Sequence, residues 1–112
     1  MGATVSGYIY LLGMDEKIDF ALERIKTLTP NPDDQAYLLE ITWLYNRIVL
    51  AGSPEPVIDL AYELVMPVEF IGLCVCNAME IGFIKLPAKG SNGGLISQKA
   101  LRALRLKGKQ WV

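Results

Sequence analysis

A chain of 112 residues, 52% of them hydrophobic, is long enough for one packed domain and too apolar to stay disordered. Its most apolar stretch, Met66 to Ile84, is broken by Pro67, Glu69, Asn77, Glu80 and Gly82, so no run reaches the about eighteen apolar residues of a spanning helix. The net charge of -1 hides a polarity: twelve acids and four bases precede Lys85, and seven bases with no acid follow from Lys85 to Val112.

The start, Met1-Gly2-Ala3-Thr4-Val5-Ser6, fits the short myristoylation pattern at Gly2. No polybasic cluster lies nearby to add a second membrane signal, and a single acyl chain holds weakly. No secretory signal is read either, because no basic residue precedes Lys17 and no small-residue cleavage site follows an apolar run. No membrane partner is therefore expected. Thr4 to Leu12 is rich in β-branched and aromatic residues and admits either a short strand or a first helical turn. Asp15 then opens an amphipathic helix to about Leu28, with Ile18, Leu22, Ile25 and Leu28 spaced four, three and three apart. Residues 1–30 form an N-terminal extension on this reading.

The turn formers Thr29-Pro30-Asn31-Pro32-Asp33-Asp34 break that helix and start the next. A long helix follows over 35–51, carrying Tyr37, Leu38, Ile41, Leu44, Tyr45, Ile48 and Val49 on a broad face. Gly52 closes it, and Ser53-Pro54-Glu55-Pro56 leads into a short helix over 56–64 with Leu60, Ala61 and Leu64 inward. Val65-Met66-Pro67 is a tight connection to a second helix over 68–81, closed by Gly82. Phe83 to Pro87 reads as a strand, Ala88 to Gly94 as a glycine-rich turn, and Leu95-Ile96 as a returning strand, for a hairpin around 83–87 and 94–97. Ser97 caps a last helix over 97–106, and residues 107–112 form a basic tail.

Two short helices at a tight turn, then a glycine-tipped hairpin and a capped helix, follow the order of a winged helix-turn-helix. Residues 34–106 resemble the small DNA-binding-type winged helix-turn-helix proteins of actinobacteria and their phages. The resemblance rests on Tyr45-Asn46-Arg47-Ile48, the helix-opening Pro56, Gly82-Phe83 after the second helix, and the wing-like Lys89 to Gly94. It implies a mainly α fold with a three-helix core and a two-stranded wing, preceded by the strand or helix extension. It also implies that the second helix enters the major groove of double-stranded DNA.

The residues on that second helix do not suit the task. Val68, Glu69, Gly72, Leu73, Cys76 and Asn77 should face outward, and only Asn77 is a base reader by chemistry. From Ile48 to Ile84 there is no Lys or Arg, against the acids Glu55, Asp59, Glu63, Glu69 and Glu80. Such a face would meet phosphate against repulsion. Nucleic-acid binding is therefore expected to rest on Lys85, Lys89, Lys99, Arg102, Arg105, Lys107 and Lys109, with Asn77. Val68, Gly72, Leu73 and Cys76 are expected to form a protein interface instead, to a partner chain, a second copy or the segment Thr4–Leu12.

No catalytic constellation emerges. There is no histidine, and Cys74 and Cys76, two apart, point about 200° away from each other on a helix, which suits neither a disulfide nor a shared zinc. Asp15-Glu16 and Asp33-Asp34 sit at helix starts, where acids complement the dipole. Gly90-Ser91-Asn92-Gly93-Gly94 lacks the Lys-Ser/Thr of a phosphate loop. The expectation is a cytoplasmic, non-enzymatic regulatory or accessory protein without cofactor, metal or small-molecule substrate. It would act in transcription through the basic wing and last helix, or alternatively serve as a protein-interaction or dimerisation module.

Overall fold

The computed structural model of the chain describes residues 16–86 and 94–107. Among them are five helices: α1 (Glu16–Lys26), α2 (Gln35–Leu50), α3 (Pro56–Leu64), α4 (Val68–Glu80) and α5 (Gln98–Lys107). Each lies within two residues of the span its periodicity and caps predict.

Helix α2 is the centre of the molecule, and α1, α3, α4 and α5 all pack on it. Nine consecutive residues, Tyr37 to Tyr45, are buried, so the helix is covered nearly all round rather than on one broad face. Polar groups caught in that position find partners. Thr42 Oγ1 donates to Leu38 O at 2.7 Å, and Glu40 receives Arg24 Nε of α1 at 3.4 Å. Helix α1 adds Ile18, Ala21 and Ile25 to the same core.

Three helices end on one device. In each, the amide after the last turn bonds back three residues, and the next amide bonds back five, as in the Schellman motif. Gly52 and Ser53 do this at α2, with bonds to Val49 O and Ile48 O; Gly82 and Phe83 do it at α4, with bonds to Met79 O and Ala78 O. Both glycines have φ near +90°, at 91° and 85°. At α3 the pair is Val65 and Met66, bonding to Tyr62 O and Ala61 O, and Val65 takes φ 54°. A β-branched residue there is strained by about 1–2 kcal/mol.

The expected winged helix-turn-helix requires correction at its wing. Among the described residues there is no strand; Ile84 and Ile96 form an isolated antiparallel bridge, with Lys85 N bonding Leu95 O and Ser97 N bonding Phe83 O. On the α4 side the pairing ends because the Phe83 amide, which would face Ser97 O, is spent on closing α4, while the Ile84 and Ile96 amides face away from the pair. The amides of Phe83 and Ile84 turn back to Ala78 O at the end of α4, and the amide of Ile96 is taken by Asn46 Oδ1 of α2 at 3.0 Å. The residues thus serve as a helix stop and a tether rather than a sheet. The turn at 87–93, the Thr4–Leu12 segment with its strand or helix reading, and the tail at 108–112 lie outside the described residues. No helix among the described residues is long and apolar enough to cross a membrane.

Candidate functional site: the α3–α4 face

The entry to α3 is built from Ser53, which is buried. Ser53 Oγ accepts the Glu55 amide at 3.1 Å and donates to Asp59 Oδ2, so a buried carboxylate is held within the first turn of α3. Leu60, Ala61 and Leu64 then face the core, as do Ile71, Cys74, Val75 and Ala78 of α4. Small Ala61 lies under the turn between the two helices, where the connection has only Val65 to Pro67.

The opposite side of this pair is apolar without being covered. Val65 is 87% exposed and Tyr62 66%, and with Ile58, Met66 and Val68 they line an open groove of about 830 Å³. Glu63 stands in its wall, half-buried, and burial pushes its carboxyl above the ordinary value despite Lys26. Exposed Glu69 follows Val68 on the first turn of α4. The groove is lined by apolar side chains and the one acid Glu63.

The residues expected to form a protein interface continue this surface. Val68, Leu73 and Cys76 are exposed on one arc of α4. Gly72 is half-covered and faces α3, since a Cβ built there would lie 4.0 Å from Val57 Cγ1. Cys74 is fully buried, its thiol pushed up to about 11 by desolvation, and both cysteines are free. Among the described residues no group of three His, Cys, Asp or Glu side chains gathers to hold a metal.

The basic residues follow α4 in the chain. Lys85, Lys99, Arg102 and Arg105 are exposed there, while the Lys107 side chain, Lys89 and Lys109 lie outside the described positions. Lys99 also has an internal role. Its Nζ donates to Ile81 O at 2.6 Å, where α4 leaves a free carbonyl, and lies 5.7 Å from the Phe83 ring centre. Asn77, the one base reader by chemistry, donates its amide to Pro32 O at 2.8 Å and so ties α4 to the loop before α2. Structure does not bring it together with the basic residues as a reading surface.

No family model, curated protein or solved structure matches the chain. Its site is therefore read from its own residues. Sequence reasoning placed Val68, Leu73 and Cys76 outward through their period on α4, where they are exposed, but it passed over Ile58, Tyr62 and Val65. The signal for these was present: Val65 stands where the ends of α2 and α4 carry glycine, and Tyr62 lies opposite the inward trio Leu60, Ala61 and Leu64.

Proposed function

We propose that this chain is a small, non-enzymatic accessory protein that works by docking a protein partner on the α3–α4 face. The observation that carries the reading is the groove at Ile58, Tyr62, Val65 and Val68, apolar apart from Glu63 in its wall. Uncovered aromatic and aliphatic side chains around a concave surface suit a protein interface, and the lining carries an acid and no base to meet phosphate. The strained Val65 backbone supports it further, because the fold gains no buried contact from a side chain that is almost wholly exposed. A cytoplasmic setting belongs to this reading, supported by the two free thiols. The test is a photoreactive aromatic residue in place of Tyr62 within producing cells, with the exposed Glu23 of α1 as control position. Discrete protein adducts from position 62 alone are expected. Equal labelling from both positions, or adducts to nucleic acid, would reject the docking reading.

A second reading rests on the basic end of the chain, where Lys85, Lys99, Arg102 and Arg105 are each exposed. There the chain would bind double-stranded DNA without reading sequence, in a role connected with transcription. Replacing Lys85, Lys89, Arg102 and Arg105 should weaken binding to random duplex uniformly and flatten its salt dependence by roughly one unit per lost phosphate contact. A parent chain that does not bind duplex at low salt removes this reading.

A further inference from the structure

Glu63 is the one charged side chain in the lining of an otherwise apolar groove, and it is half-buried there. On its other side it borders a narrow apolar crevice with Ile18 and Leu22 of α1. Among the described residues no hydrogen-bond donor reaches its carboxylate. Lys26 of α1 lies near enough to favour its charge but forms no ion pair with it. Asp19 of α1 and Asp59 of α3 press the other way, while α2 turns only Leu44 and Ile48 toward it and α4 brings only Val68 to the groove. Three carboxylates therefore meet one ammonium, and of the three Asp59 is already served by the Ser53 hydroxyl. A half-buried carboxylate left without a partner costs free energy that a cation brought from outside recovers.

We infer that the groove takes an apolar segment of a partner protein that carries one lysine or arginine, placed to meet Glu63. The inference rests on the docking reading and adds the chemistry of what docks. Apolar side chains of the segment supply the attraction against Tyr62 and Val65. The single cation fixes the register, because in any other it would lose water without gaining a partner. An acidic segment finds no base in the lining and meets only repulsion. Recognition also acquires a pH dependence. Burial holds the Glu63 carboxyl above its ordinary value, and a cation pairs only with the ionised form. The segment therefore binds better as pH climbs through that raised value, and its arrival draws the proton off.

The probes come from a display library of random peptides of about twelve residues, selected on the full chain near neutral pH. Peptides that bind the parent but not Tyr62→Ser are groove ligands, with circular dichroism confirming that each variant is folded. They are expected to be apolar with one Lys or Arg. Replacing that residue by Gln in the peptide should weaken binding to the parent about tenfold in fluorescence anisotropy, whereas Glu63→Gln should bind both peptides alike. Glu63→Lys should instead prefer the peptide with Glu in place of its base, an exchange that a merely structural Glu63 would not produce. Binding of the basic peptide to the parent should weaken as pH falls from about 7 to about 5, and binding to Glu63→Gln should stay level. Groove ligands without a basic residue overturn the inference and leave the docking reading standing. So does a basic residue whose loss weakens binding to Glu63→Gln as much as to the parent, or a pH profile that the two chains share. If no selected peptide depends on Tyr62, the inference and the docking reading fall together.

Discussion

Helices α2 and α4 are both apolar over most of their length, and the fold treats them differently. Around α2 the apolar residues are spent on four neighbouring helices, and even Glu40, Thr42 and Trp43 are buried with them. Around α4 only Ile71, Cys74, Val75 and Ala78 are buried, while Val68, Leu73 and Cys76 remain outside. A helix apolar on all sides is surrounded by its own chain or awaits another one. In α2 the first holds; on α4 the surplus stays exposed among the described residues.

That contrast can be broken most forcefully in α2. Ile41→Ala, at a fully buried position, should lower unfolding free energy by about 2–5 kcal/mol in denaturant titration, whereas a change below about 1 kcal/mol would mean α2 is not the centre of the core. Ser53→Ala comes next, at about 1–3 kcal/mol, because the buried Asp59 carboxylate and the Glu55 amide lose their shared hydroxyl. Val65→Gly runs the other way: thermal unfolding should show a gain of about 1 kcal/mol, since glycine occupies the same backbone position at the ends of α2 and α4. Leu73→Lys should change folding by less than about 0.5 kcal/mol, in keeping with an exposed site on α4. The mildest probe is alkylation of the native protein near neutral pH. Cys76 should react while Cys74, buried and with its thiol pushed up to about 11, waits for unfolding; labelling of both at one rate would deny the assigned inward face of α4.

All five helices were legible because each carries local marks: Pro56 at a first turn, Gly52 and Gly82 past the ends, Ser97 at a cap, and apolar residues three and four apart. Leu60, Ala61 and Leu64 were placed inward from the sequence, and all three are buried. The hairpin was over-read. Apolar residues around a glycine-rich turn satisfy a strand pattern, but the pattern does not show that the Phe83 amide is spent on closing α4 at Ala78 O instead of pairing with Ser97. Likewise Asn77 reads as a free polar group until Pro32, forty-five residues earlier, is seen to accept its amide. The encircled state of α2 was hidden for the same reason, because it depends on how many helices surround it. The groove escaped notice because Ile58 and Tyr62 look like ordinary surface scatter until the turn at Val65 brings them beside Val68.

The attachment of α5 has a consequence for how the molecule opens. That helix reaches the core through Ala100 and Leu104, and its approach is held by the Asn46 bond to Ile96, the Ser97 hydroxyl on Gly82 O and the Lys99 ammonium on Ile81 O. All these links lie at one edge, so α5 can detach while α1 to α4 keep their mutual packing. Amide protons within 98–107 should then exchange through a partial opening, well before those of α2, which wait for global unfolding. Protection of α5 equal to that of α2 would show instead that the chain melts as one cooperative unit.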